Sequence, residues 1–389
     1  MTNGFYRLGA FHAAVTAACL LVAPLAGCGS PTVSPTPPHA SPGERPPPAE
    51  RVGETRRLMG VPWTITVHAE SEAAGRAAIA AGFAEVARLE RILSDYDPES
   101  ELSRLSARAP TPHPLPVDDD LWRVLERSVA IRDATQGAFD PTVGPLTTLW
   151  RQARRSGRLP LPDKLARARE ACGSDALWLE PRGHAVALRR PGMRLDLGGI
   201  GMGYAVDRAV EVIGRHGITA AMVDASGDVA VSGPPPGTAG WSIAVAPLGV
   251  DGDAVEPSDR GERLCLVHAA VTTSGDAHQA VEIDGVRYSH IVDPRTGLGV
   301  VGPTAVTVLA PDCTTADALA TAASVLGPER SGAIIDAAAG SAARFVWLED
   351  GRVRQVHTSR WPAQNPPAQN PPAQNPPAQN PQTSLQHAR

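Results

Sequence analysis

Trp63-Thr64-Ile65-Thr66-Val67 alternates apolar and polar positions as a half-buried strand does. Just downstream, Ile79, Phe83, Val86 and Leu89 recur at helical spacing and predict a helix over residues 73–93. A second helix is predicted from about residue 119 to 135, where Leu121, Val124, Leu125, Val129 and Ile131 share one broad apolar stripe. Arg194-Leu195-Asp196-Leu197 reads as a short strand that feeds the run Gly198-Gly199-Ile200-Gly201-Met202-Gly203. The helix beyond turns Val206, Ala209, Val210 and Ile213 inward and ends near Gly214 or Gly217. Further strands are predicted at 221–224, 241–245, 281–283 and 305–309. The last leads into a helix that Thr314 or Thr315 can cap and that Gly327-Pro328 stops. Strands and helices alternate irregularly, which gives an α+β fold class with a single mixed α/β body.

The ends of the chain break this pattern. Arg7 precedes a mostly apolar run over residues 8–25, and the run closes in Leu25-Ala26-Gly27-Cys28. This reads as a secretion signal over residues 1–27, and the Leu-Ala-Gly-Cys order resembles a bacterial lipobox, with lipid on Cys28 after cleavage. An uncleaved membrane anchor is the alternative, although the run is short for a spanning helix. Residues 28–53 are rich in Pro, Ser and Thr and read as a tether. At the other end, residues 358–389 hold repeats of Pro-Pro-Ala-Gln-Asn with almost nothing to bury, so a disordered tail is predicted. The catalytic body is therefore placed at residues 54–357. The expected location is the surface of a bacterial membrane, facing the periplasm or the cell exterior.

Charge narrows the partners. The net charge is -5 with both signs mixed and no long Lys/Arg run, so the footprint of a nucleic-acid binder is missing. Cys172, Cys265 and Cys313 are scattered and make neither a disulfide framework nor a CxxC site, so they read as buried thiols.

Several segments carry chemistry. His290 is a side chain whose ordinary pKa lies near neutrality, and it precedes a turn at Asp293-Pro294-Arg295-Thr296-Gly297. Asp317 and Thr321 are four apart, fall on one helix face and can aim two hard oxygens at one Mg²⁺. Taken alone, the same pair also reads as an acid near a helix start and a threonine packed on a sheet. The glycine run permits close backbone approach to a phosphate, but its GxGxG spacing is a poor dinucleotide fingerprint. Gly137-Ala138-Phe139-Asp140-Pro141-Thr142-Val143-Gly144 reads as a rigid turn presenting a ring and a carboxylate, and Thr272-Thr273-Ser274-Gly275-Asp276 as a small polar loop. Ser289, His290 and Asp293 are too close in sequence to be assumed a nucleophile triad.

In order, Leu58-Met59-Gly60, Ser94-Asp95-Tyr96 with Ser100-Glu101-Leu102, the 137–142 turn, Asp196-Leu197-Gly198-Gly199-Ile200 with Gly203-Tyr204, Thr273-Ser274-Gly275-Asp276, the stretch His290 to Gly297, and Ala316-Asp317-Ala318-Leu319-Ala320-Thr321 resemble the bacterial flavin transferase family, also named thiamine-biosynthesis lipoproteins. Its members move FMN from FAD onto a threonine of an acceptor protein, such as a membrane redox subunit. The resemblance implies FAD contacts at Met59, Tyr96, Ala138, Phe139, Asp140, Asp196, Met202 and Ile291. It implies Mg²⁺ on Asp317, Thr321 and the carbonyl of Gly199, with His290 as the base. Three positions depart from the family pattern: Met202 stands where Lys is common, Ser106 where Asn is common and Ser226 where Gly is usual. An FAD pyrophosphatase at the same site, or a flavin-binding lipoprotein without turnover, are the competing readings.

Overall fold

A computed structural model describes residues 49–245, 248, 262–275, 280–302 and 304–362. The signal segment, Cys28, most of the tether, Asp276 and most of the repeat tail lie outside the described residues.

The first part of the body comprises β1 (Glu50–Leu58), β2 (Val61–Ala69), α1 (Glu72–Leu93), α2 (Glu101–Ala107), β3 (Leu115–Pro116), α3 (Asp119–Ala134), α4 (Gly144–Ser156) and α5 (Pro162–Glu170). The middle adds β4 (Leu177–Glu180), β5 (Ala185–Leu188), α6 (Gly201–Arg215), β6 (Ala220–Ala225), β7 (Asp228–Val231), β8 (Trp241–Ala244), β9 (Arg263–Leu266) and β10 (Ala269–Gly275). The last part holds β11 (Val281–Ile283), β12 (Val286–Val292), β13 (Gly299–Val301), β14 (Thr304–Ala310), α7 (Cys313–Leu326), α8 (Pro328–Ala337), β15 (Ala342–Glu349) and β16 (Arg352–His357).

The main sheet has eight strands in the order β1-β2-β6-β7-β10-β14-β15-β16, every neighbour antiparallel. It is a meander in which β1–β2, β6–β7 and β15–β16 are joined by tight turns while the other returns carry insertions. The alternation of side chains along each strand supplies two cores. Ala221, Val223, Ala230, Ala270 and Val308 face the helical layer with Ile79, Phe83, Val206, Ile213 and Leu319. Val229, Val231, Val271 and Leu309 face the other way and are covered by Trp241, Leu264 and Leu266 of the β8–β9 hairpin and by Trp361. A third cluster joins Leu146, Trp150 and Ala153 of α4 to Ile283, Tyr288 and Val292 of the small β11–β12–β13 sheet.

Several boundaries differ from the sequence reading. β1 begins at Glu50, inside the predicted tether, because that stretch pairs with β2 from Glu50 opposite Ala69 onward. The predicted tail begins inside the fold as well. Thr358 Oγ1 accepts from the Ala343 amide at 2.8 Å, and the buried Trp361 donates to Glu262 at 2.7 Å. Residues 194–197 form no strand, only an isolated parallel bridge between Val143 and Arg194, since the Asp196 amide is spent on Pro141. The predicted loop at 272–275 is the end of central strand β10, with Thr272 buried opposite Val308. α7 is capped by Asp312, whose side chain accepts from the Thr315 amide, while the Thr314 hydroxyl bonds Asp207. Among the described residues Cys313 is the one buried thiol; Cys172 is half-buried and Cys265 exposed, so those two are not the buried thiols expected.

Candidate functional site

The two motifs proposed to hold a metal meet where α6 and α7 cross. A Cβ added to Gly199 would sit 2.8 Å from Thr321 Oγ1, so the glycine backbone lies directly against that hydroxyl. A Cβ on Gly203 would meet the Cys313 carbonyl at 2.4 Å and the Asp317 side chain at 2.9 Å. The absence of side chains at these glycines lets the two helices come close enough for the Gly203 amide to donate to Asp317 Oδ2 at 3.1 Å. Asp317 is buried, and burial, then repulsion from Asp228, raises its carboxyl well above the ordinary range. Asp228 is pushed up to about 7, chiefly by burial, although Thr272 hydrogen-bonds it. Asp207 follows at about 6, again by burial first. Cationic charge at this crossing would reverse that penalty.

His290 is half-buried on β12, where the pairing with β13 changes register between Tyr288 and Val292. His290 and Ile291 therefore occupy an irregular stretch of strand, not the turn, and such irregularities re-aim side chains. The turn itself follows at Asp293 to Gly297, closed by the Gly297 amide on the Asp293 carbonyl at 2.7 Å. Ser289 and Asp293 are engaged elsewhere than on His290: Ser289 Oγ accepts from the Ile291 amide, and the Asp293 carboxylate is paired with Arg295 at 2.8 Å. Helix α4 fixes this strand from behind. Trp150 Nε1 donates to the Ser289 carbonyl at 2.9 Å, and its ring meets Tyr288 edge-on at 5.4 Å. α7 also touches β12, which brings the histidine strand and the helix of Asp317 and Thr321 together.

Residues expected to contact FAD divide by environment. Met59 sits at φ +47° in the β1–β2 turn with its amide on Glu90 Oε1 at 2.9 Å. Tyr96 is 76% exposed, with the Arg151 guanidinium 4.1 Å from its ring centroid. Asp196 is buried, accepting from Thr147 at 2.6 Å, from the Gly198 amide at 2.8 Å and from Arg151 at 3.1 Å. Met202 is half-buried against the main core, and Ile291 is buried. The 137–144 turn does not present its ring and carboxylate outward. Ala138 and Phe139 are buried in the core, and Asp140 Oδ1 is taken up by Thr142 and by Ser174, both at 2.7 Å.

Arg151 and Thr147 escaped the sequence reading. They are one turn apart on α4 and reach the same Asp196 carboxylate, and Arg151 also pairs with Asp95 at 2.5 Å. Burial, then repulsion from Asp196, raises the Asp95 carboxyl even with that arginine beside it. The available signal was Thr147, Trp150 and Arg151 at helical spacing between Pro145 and Gly157, a helix start and stop. A pocket of about 310 Å³ opens here, lined by Tyr96, Arg151, Arg154, Arg155, Ala280 and Val281. Two departures from the family pattern also have roles. Ser106 accepts from the Leu195 amide at 3.0 Å, and Ser226, at φ +56°, donates to the Pro62 carbonyl at 3.1 Å.

Known proteins share both the sequence and the fold of this chain. A sequence model of the ApbE family matches residues 59–345. The FAD:protein FMN transferase of Treponema pallidum (strain Nichols) is 33% identical over 308 residues, 76% of this chain and 84% of that protein. The protein of the same name from Klebsiella pneumoniae (strain 342) is 30% identical over 334 residues, 84% of this chain and 89% of its own length. The flavin transferase ApbE from Vibrio cholerae superposes with a TM-score of 0.70 at 30% identity, covering 80% of this chain and 98% of that one. The apo flavinyl transferase ApbE of Pseudomonas stutzeri gives 0.68 at 27% identity, over 80% and 95%. The chain belongs to the ApbE family.

Proposed function

We propose that the chain carries FMN from FAD to a threonine hydroxyl of an acceptor protein in a Mg²⁺-dependent reaction that releases AMP. FMN transfer from FAD to a protein is the activity of its relatives, and this chain is an FAD:protein FMN transferase. The observation that carries the finer reading is the α6–α7 crossing, where the Gly199 backbone lies against Thr321 and the Gly203 amide donates to the buried Asp317.

The donor set fits a hard divalent cation, since a carboxylate, a hydroxyl and a carbonyl are all oxygen ligands. Asp317, Thr321 and the Gly199 carbonyl would hold Mg²⁺. When bound, the ion supplies positive charge for the pyrophosphate as the bond to AMP breaks. His290 would accept the proton of the threonine hydroxyl, a contribution of about 10²–10⁴-fold to such a step. The new bond joins threonine Oγ to the phosphorus of the riboflavin phosphate. The broken bond joins that phosphorus to the bridging oxygen, which leaves with AMP. Met59, Tyr96, Ala138, Phe139, Asp140, Asp196, Met202 and Ile291 would border the FAD. Met202 brings no charge to the phosphates, and Arg151, bound to Asp196, is a cation that α4 brings to this loop.

Incubation with FAD, Mg²⁺ and an acceptor protein, followed by AMP release and acceptor mass, separates the readings. A mass gain of one FMN supports the transferase; AMP and free FMN without mass gain support a pyrophosphatase; bound, intact FAD supports neither. Lipidation of Cys28 would hold the body on a bacterial membrane, facing the periplasm or cell exterior. Incorporation of labelled fatty acid in the parent and its loss in Cys28→Ala would support that anchor; equal labelling would refute it.

A further inference from the structure

Residues 151–169 contain seven Arg or Lys against a single acid, Asp163, in a chain whose net charge is -5. They build the end of α4, the turn after it and α5. Arg151 is committed to Asp95 and Asp196. Among the described residues Arg154, Arg155, Arg158, Lys164, Arg167 and Arg169 have no ion pair. Repulsion is already felt within the group: burial first, and then Arg151, lower the Arg154 guanidinium below its ordinary range.

The same turn exposes apolar surface. Leu161 is 63% and Leu159 38% exposed, and Gly157, at φ +65°, ends α4 so that the chain folds back along it. The fold-back leaves a groove of about 140 Å³ between the Leu149, Gln152, Ala153, Ser156 face of α4 and residues 158–161, with Arg158 and Lys164 at its rim. On the opposite flank of the same helix, Arg151, Arg154 and Arg155 line the Tyr96 pocket.

We propose that this groove is the docking surface for the acceptor protein, and that it takes an acidic segment carrying an apolar side chain. The inference rests on the transferase reading above and adds the chemistry that recognises the partner. Charge selects an anionic partner, since the patch is a concentrated positive field on a negative protein. The exposed Leu159 and Leu161 in the groove wall select a side chain with an apolar body, and the rim cations then fix register around that anchor. An acceptor is favoured over a lipid surface because the groove is a concavity of about 140 Å³ that fits one side chain, which a flat bilayer surface does not supply.

The test uses the full chain and its Arg158→Glu/Lys164→Glu variant, neither position lining the Tyr96 pocket. A fluorescein-labelled peptide of alternating Asp, Glu and Leu is titrated by anisotropy beside its Asn, Gln and Leu counterpart, and AMP release from FAD is followed in parallel. The proposal predicts at least tenfold tighter binding of the acidic peptide by the parent, weakened by 0.5 M NaCl and lost in the variant. AMP release stays within twofold. Equal binding of the two peptides would overturn it. So would a variant that loses retention on phosphatidylglycerol-containing vesicles while keeping the acidic peptide, which would assign the patch to a membrane. A fall in FAD affinity in the variant would place the cations in the nucleotide site and overturn it as well. A parent that released no AMP from FAD would contradict the transferase reading instead, leaving peptide binding to be judged by itself.

Discussion

The α6–α7 crossing and the α4–α5 rim carry opposite charge in opposite surroundings. At the crossing, Asp317 lies close enough to be repelled by Asp228 and Asp207, and burial raises all three carboxyls. At the rim, six cations stand without ion pairs among the described residues, most of them exposed. A buried acid beside a hydroxyl and a backbone carbonyl would suit a small, hard cation, because positive charge offsets the cost of burying the carboxylate. Exposed arginines and a lysine form a place for something large and anionic, held weakly per contact and guided at long range. A transfer reaction between a nucleotide and a protein needs both, and Asp196, joined to Arg151 on one side and to the glycine loop on the other, links them.

Removing the acid should have the largest effect. Asp317→Ala should cut Mg²⁺-dependent AMP release by at least ~10²-fold, in line with the loss of one strong electrostatic stabiliser. His290→Ala should lose about 10²–10⁴-fold in transfer while FAD still binds, as read by flavin fluorescence. If either variant kept the parent rate, the deep site would be elsewhere.

Arg151→Met sharpens the link between the regions. It strands two mostly buried carboxylates, Asp95 and Asp196, and should cost about 3 kcal/mol in urea unfolding. Weaker FAD binding should accompany the loss, because the cation over the Tyr96 ring goes too. A variant as stable as the parent would mean that the pair is solvated.

Gly203→Ala tests the close approach of the helices. The added methyl would meet a backbone carbonyl, which cannot rotate away, so a loss of about 1–3 kcal/mol is expected in thermal unfolding. The smallest effect concerns pH. Asp207 titrates near 6 in the fold and near 3.9 when unfolded, so the fold binds its proton more tightly. The stability this gives is complete below about pH 4 and is lost as pH rises through 6. In EDTA, the Tm of Asp207→Asn relative to the parent should therefore climb between pH 4 and pH 7; a constant difference would contradict the raised carboxyl.

The parts legible in the sequence were those with a short-range signature. The stripe of α3, the alternation of β2 and the stop of α7 at Gly327, where φ is +75°, all follow from local chemistry. Asp317 and Thr321 share a helix, so their spacing alone placed them together. Contacts across distant segments left no such trace. Arg151 reaches residues 56 positions earlier and 45 later, and Thr314 at the start of α7 is engaged by Asp207, 107 positions earlier. The same limit explains residues 138–140: the pattern shows a turn, but whether Phe139 points in or out depends on the core it meets.

Intact-mass analysis of an acceptor protein, incubated with the chain and FAD with and without Mg²⁺, tests the central claim most directly. The account predicts one FMN added per acceptor only when Mg²⁺ is present, with an equal amount of AMP and with the adduct on a threonine. AMP without an adduct, or an adduct formed equally well in EDTA, would contradict it.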